Sequence, residues 1–152
     1  MKKLLVAAVA LIFMMTGSVV IAADNTLTVQ ATVTGTCKFV TGTSTLNFGT
    51  LDQGLATDPT GTASPTFWCT KGSTYTATTG QGLNYSVKNR MSSLSTTDFI
   101  PYTLGLAPAT GSGSGKTTPI TLTVTGTILN ADYVNVAAAA NYTDTVVITI
   151  TP

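Results

Sequence analysis

The sequence predicts an all-β domain of the immunoglobulin-like sandwich type, and three observations carry that prediction. Apolar and polar residues alternate with period two in several short runs. Turn signals separate these runs at intervals of about eight to twelve residues. The composition leans on Thr, Val, Ala, Gly and Ser, which suit pleated strands and tight turns.

The first run lies at residues 24–36, DNTLTVQATVTGT, where Leu27, Val29, Ala31 and Val33 share one face and Thr28, Gln30, Thr32 and Thr34 the other. Gly35 breaks it. The run precedes the first cysteine and is tethered at one end, so its strand partner is free to lie on another molecule. Residues 38–48 carry Phe39, Leu46 and Phe48 as apolar anchors, and Gly42 with Ser44 predicts a break between two short strands. Residues 51–64 read as a loop by their Gly, Asp and Pro content. In residues 65–70 a strand places Phe67 and Cys69 on one face and Trp68 on the other.

A turn at Lys71-Gly72-Ser73 leads into a strand over residues 74–79, with Tyr75, Ala77 and Thr79 aligned. Beyond Gly80-Gln81-Gly82, residues 83–87 predict a short strand presenting Leu83, Tyr85 and Val87, and residues 88–98 a loop. Residues 99–106 predict a strand carrying Ile100, Tyr102 and Leu104, with Pro101 marking an edge or a start. Residues 107–118, centred on GSGSG, read as flexible. Ile120, Leu122 and Val124 then alternate with threonines in the cleanest interior strand. Residues 126–141 contain four consecutive alanines, yet Asn135, Asn141 and the flanking strands favour a crossover over a helix. Last, Val146, Ile148 and Ile150 alternate with Thr145, Val147, Thr149 and Thr151 in a strand over residues 144–151.

Residues 1–23 pair Lys2 and Lys3 with an apolar run and small residues before Asp24, which predicts a signal peptide cut after Ala23. No charged stop-transfer flank follows, which favours cleavage over retention as an anchor. Beyond the leader, five basic residues stand against six aspartates, a net charge of −1. So sparse a charge leaves strand edges undefended against association. Residues 24–152 suffice for one core. An export signal places Cys37 and Cys69, the only cysteines, where they are expected to form a disulfide. The closed loop is worth about 3–4 kcal/mol on the chain-entropy account.

Catalytic chemistry fails for want of residues. There is no His and no Glu, so imidazole bases and serine triads are excluded, and two cysteines alone make a poor metal site. Asp52 and Asp58 are the nearest approach to a glycosidase pair, but aspartates in Gly- and Pro-rich loops are turn residues first. GSGSGKT at residues 111–117 lacks the leading glycine of a phosphate loop, having Thr110 there, and Pro119 follows where a helix should start. Trp68, Tyr75, Tyr85 and Tyr102 sit on separate strands, which favours packing over a sugar-stacking platform. Basic residues are too few and dispersed for nucleic acid. Asn84-Tyr85-Ser86 and Asn141-Tyr142-Thr143 match the glycosylation sequon.

Six segments carry a family likeness: GTC at residues 35–37, LNFGTLD at 46–52, CTKGSTYT at 69–76, Pro101-Tyr102, GTILNADYVN at 126–135 and YTDTVVITITP at 142–152. In them the chain resembles the spore coat protein U domain family, which includes subunits of archaic chaperone–usher pili. The likeness extends through nearly all of residues 24–152. It implies an incomplete immunoglobulin-like β-sandwich that lacks its last strand and is completed by donor-strand exchange. A periplasmic chaperone lends a strand to the gap, and the outer-membrane usher exchanges it for the N-terminal extension of the next subunit. Carried onto this sequence, the donor strand is Leu27, Val29, Ala31 and Val33, and the acceptor edge includes Val146, Ile148 and Ile150. The chain departs from type 1 and P pili in having Thr151 for their penultimate Tyr and Ala139 for a glycine near their C-terminus.

The implied organisation is a signal peptide (residues 1–23), a donor extension (24–36) and an incomplete pilin domain (37–152). The implied function is a structural pilus subunit serving adhesion and biofilm formation, exported through the periplasm to the cell surface. Its expected partners are identical or related pilin subunits, the chaperone and the usher. No cofactor, nucleic acid or membrane contact after cleavage is expected. Two other readings remain open: a spore or cell-surface coat protein, and a carbohydrate-binding sandwich whose N-terminal strand folds back on its own domain.

Overall fold

The computed structural model describes residues 22–152, so the expected leader lies almost wholly outside the described residues. Residues up to Thr32 and residues from Val33 onward form separate units. In the first, the described residues belong to no strand and are exposed throughout. In the second, the regular structure described is strand, apart from one 3-10 turn at Asn130–Asp132, and the all-β expectation holds.

The largest sheet has four strands in the order β2-β9-β6-β5, where β2 is Thr60–Ala63, β5 Asn89–Ser92, β6 Phe99–Ala107 and β9 Thr123–Thr127. A second sheet orders β1 (Cys37–Phe39), β3 (Thr66–Cys69) and β8 (Ile120–Thr121) as β1-β3-β8. The third orders β4 (Thr74–Thr79), β7 (Thr110–Ser112) and β10 (Ile148–Thr151) as β10-β4-β7. Every pairing is antiparallel. The strands with their own alternation make the core, because period two sends every second side chain inward. Phe67 and Cys69 of β3, Tyr75 and Ala77 of β4, and Leu122 and Val124 are buried together, so both three-stranded sheets pack on the four-stranded one. The Phe67 and Tyr75 rings meet edge to face with centroids 4.9 Å apart. A second cluster joins Ile100, Tyr102, Ile128 and Tyr133.

The structure departs from the sequence expectation in both directions. Strands β2, β5 and β7 occupy stretches that read as loops. In β2 the inward position is Gly61, opposite Gly126 of β9, and in β7 it is Gly111, opposite Tyr75 of β4. A Cβ on Gly111 would lie 2.6 Å from the Tyr75 hydroxyl oxygen. These strands exist because a neighbour supplies the ladder, and their glycines hide the alternation. Conversely, residues 83–87 form no strand: Tyr85 N–H donates to the Gly82 carbonyl and Ser86 N–H to that of Lys88, folding the segment on itself. Leu83 and Val87 are left exposed. Residues 24–36 and 144–147 alternate well yet belong to no strand: among the described residues their backbone ties to other backbone are the single bonds of the Thr36 and Val147 carbonyls to Thr70 and Gly80 N–H, too few to make a ladder.

The expected disulfide is present. Cys37 and Cys69 face each other in the β1–β3 register and are bonded. The bond fastens a three-residue strand to the buried centre of the domain. Replacing both cysteines by Ser is expected to cost about 2–5 kcal/mol. Guanidinium unfolding checks this: the variant midpoint falls, and reduction of the wild-type chain lowers it by the same amount.

Candidate binding groove

Two extended runs that lack a mutual partner define the site. In the first, Leu46 and Phe48 turn inward and are half-buried, while Thr45 and Asn47 are exposed. Two glycines of the four-stranded sheet make their seat. A Cβ on Gly61 would lie 2.7 Å from Leu46 Cδ2, and one on Gly126 would lie 2.6 Å from Phe48 Cζ, so side chains at either position would lift the run off the sheet. In the second run Tyr142, Asp144, Val146 and Ile148 turn inward, and Thr143, Thr145 and Val147 outward. It is moored by reciprocal backbone hydrogen bonds between Ser92 and Thr143, at 3.0 and 2.8 Å, and by Gly80 N–H on the Val147 carbonyl at 2.7 Å.

A groove opens between the runs. Its narrow part, about 260 Å³, has Tyr102 and Leu104 of β6, Val124 of β9 and Met91 of β5 in its lining. Its wide part, about 1170 Å³, extends past Asp52, Tyr133 and residues 136–143. The two parts share Leu46, Phe48, Met91 and Tyr142. Among the described residues, no backbone group of residues 44–48, and none of Thr145 or Val146, pairs with another backbone group. Strand β10 has β4 on one side only. The walls therefore offer unpaired donors and acceptors above an apolar floor, the surface that an added strand satisfies.

The wide end is held by polar clasps. Tyr133 is buried, with its hydroxyl 3.2–3.3 Å from the carbonyl oxygens of Asp52, Leu55 and Thr57. Gln53 Nε2 donates to the carbonyls of Tyr133 and Val136 at 2.9 and 2.6 Å. The two loop aspartates serve the backbone: Asp52 Oδ1 accepts from Gly54 N–H at 2.8 Å, and Asp58 Oδ1 from Asn130 N–H at 2.7 Å. No group of three or more metal-ligating side chains occurs among the described residues. Tyr75 and Tyr102 are buried in different clusters, so the four scattered aromatics do not form one platform.

Of the expected acceptor residues, Val146 and Ile148 line the groove, while Ile150 packs against the first core cluster. Of the expected donor residues, Leu27, Val29, Ala31 and Val33 stand exposed outside any strand. The facing wall, Leu46 and Phe48, and the floor residues Met91, Tyr102 and Tyr142 were not read as groove residues. Alternation in Thr45-Leu46-Asn47-Phe48 is the signal that marks the wall.

At the floor, the Tyr102 hydroxyl donates to Asp144 Oδ2 at 2.7 Å. Burial pushes its ionisation above the ordinary tyrosine range, and the hydrogen bond to Asp144 and that residue's charge push it the same way. Tyr102 thus stays a neutral donor. A folded value above the unfolded one of about 10 means its stabilisation is complete below about pH 10 and lost as pH rises further. Tyr102→Phe is expected to cost about 1–2 kcal/mol at neutral pH. It is also expected to remove up to about 1.4 kcal/mol per pH unit from the alkaline decline. Unfolding free energies at about pH 8 and about pH 11 check both.

The family-model comparison agrees with the residue-level likeness. No curated protein matches the chain. Among solved structures, the complex of the CsuC chaperone with the CsuE tip adhesion subunit, from archaic chaperone–usher Csu pili of Acinetobacter baumannii, is similar at 20% identity and a TM-score of 0.49. The likeness covers 78% of this chain and 40% of that one. The family model of the Spore Coat Protein U domain matches residues 23–149, and the chain belongs to that family.

Proposed function

We propose that this chain is a structural subunit of an extracellular pilus, polymerised head to tail by donor-strand complementation along the chaperone–usher route. The observation that carries the reading is the groove itself: two half-buried runs with unpaired backbone, in a chain that also bears an exposed alternating apolar arm. Leu27, Val29, Ala31 and Val33 of one copy enter the groove of the next, beside Val146 and Ile148. Burying Leu27, Val29 and Val33 contributes about 1.5–3 kcal/mol each, and each ladder hydrogen bond about 1 kcal/mol net. The contact joins different surfaces on the two copies, so it propagates as a filament rather than closing.

An empty groove is an aggregation hazard. A periplasmic chaperone that lends a strand covers it, and an outer-membrane usher exchanges that strand for the next subunit's arm. The domain order that serves this route is signal peptide (residues 1–23), donor extension (24–36) and pilin domain (37–152). The finished fibre lies on the cell surface and serves adhesion and biofilm formation. The family's description favours a second reading, a coat protein of the same fold, which genes for a chaperone and an usher beside this one would argue against.

Deleting residues 24–34 is expected to leave a domain that binds a synthetic peptide of residues 24–36 but forms no polymer. The full chain gives ladders on gel electrophoresis that resist mild detergent and collapse on heating. Polymers from the deleted form overturn the proposal.

A further inference from the structure

The aspartates of the folded domain gather toward one end and three of its five basic residues toward the other, while Lys88 and Arg90 lie on the aspartate side and leave that side net negative. The run from Ile120, beside Phe67, to Thr127, beside Thr60, spans seven residue steps, about 23 Å at strand rise. At the Ile120 end, Lys38 stands across the ladder from Trp68, and Lys116 Nζ lies 6.0 Å from the Trp68 ring centroid. Lys71 opens the turn after β3, and Gly115 packs beside its Cβ. These are three of the five basic residues beyond the leader. All three lysines are exposed, and Trp68 is half-buried.

The Thr127 end is acidic. Asp58 caps Asn130 N–H, Asp132 lies in the 3-10 turn that follows, and the Asp52 carbonyl accepts from Tyr133. Asp98 Oδ2 accepts from Ala137 N–H at 2.7 Å. Asp52, Asp58 and Asp98 each use one carboxylate oxygen within the domain, which leaves the charge facing outward.

We infer that the face formed by Lys38, Trp68, Lys71 and Lys116 docks on the aspartate-bearing end of a second copy of this chain. The inference rests on the head-to-tail reading above. Every ladder in the domain is antiparallel. An arm laid antiparallel to β10 runs from the Thr151 side toward Thr143 and leaves the groove at its wide end, which Asp52 lines. That arm joins its own domain at Thr36, whose carbonyl accepts from Thr70 N–H at 2.9 Å, next to Lys71. The lysine end of the incoming copy thus arrives at the aspartate end of the copy it completes. Residues 34–36 bridge at most about 10 Å, close to one Debye length at physiological salt. A parallel arm would set lysines against lysines, so the charge pattern also selects the direction of insertion.

The test uses the full chain without its leader. Lys38→Glu, Lys71→Glu and Lys116→Glu together, or Asp58→Lys and Asp132→Lys together, are expected to slow ladder formation about tenfold at low salt. The deficit closes near about 1 M salt. A chain carrying both sets is expected to recover to within about twofold of wild type. Binding of the peptide of residues 24–36 verifies that each variant folds, and Lys38→Gln with Lys116→Gln gives a milder loss of about threefold. Ladders that form at one rate in all these chains, or a doubly reversed chain no faster than either parent, overturn the inference alone. Wild-type chains that form no ladders overturn the head-to-tail reading and this inference with it.

Discussion

The constraint on which the structure depends is the unmet hydrogen bonding along residues 44–48 and 145–146. A buried peptide group without a partner costs about 1–3 kcal/mol, and in both walls every second residue is exposed. With no ladder to hold it, the 44–50 wall has, among the described residues, no backbone-to-backbone tie between Val40, which donates to Thr66, and the clasped loop at Asp52. Packing replaces the ladder: Leu46 and Phe48 settle over Gly61 and Gly126, where the absence of Cβ atoms lets them reach the sheet. The disulfide holds the near end of that wall and the Tyr133 clasp its far end. The groove is therefore kept open by side chains at fixed points.

How far the fold was legible follows from what alternation reports. It marks a face that seeks burial, and it is silent about where the covering partner lies. Strands β3, β4 and β6 carry large apolar residues at alternate positions, and their reading survives nearly residue for residue; the single strand expected through Ile120, Leu122 and Val124 is divided between β8 and β9, which pair in different sheets. Strands β2 and β7 were illegible because a glycine fills the inward position and the ladder comes from a distant neighbour; β5 was illegible because Met91 is its one apolar residue, too few to show an alternation. The opposite error is as instructive. Residues 24–36 and 144–147 alternate as well as any strand in the chain yet join no strand, and the second of these forms a groove wall. Val146 and Ile148 line the groove in the run that the family likeness marks as the acceptor edge; Leu46 and Phe48 carried no such mark, because apolar anchors in a short run read the same whether they line a core or a cleft.

Low charge and an open edge belong together. Lysines or prolines along residues 44–48 or 144–148 would protect the edge, and the same residues would repel an incoming strand. The runs instead carry Thr, Asn, Leu, Phe, Val and Ile, with Asp144 engaged by Tyr102 at the floor.

Chain length decides whether the arm can serve its own domain. Gly35 packs against Ser73 and Pro152, and a Cβ there would lie 2.7 Å from the Ser73 hydroxyl oxygen. Thr70 Oγ1 accepts from Thr36 N–H at 3.1 Å and lies 3.3 Å from the Thr34 carbonyl, so residues 34–36 continue the line of β1 and make no turn. For antiparallel pairing with residues 145–151 of the same molecule, Val33 would have to reach the far end of the groove. Seven residue steps put that end about 23 Å from Pro152, and residues 34–36 span at most about 10 Å. An arm returning to its own groove must instead reverse at the Thr70 clamp and pair in parallel, against the polarity of every other ladder in the domain. Antiparallel pairing on a second copy meets neither restriction.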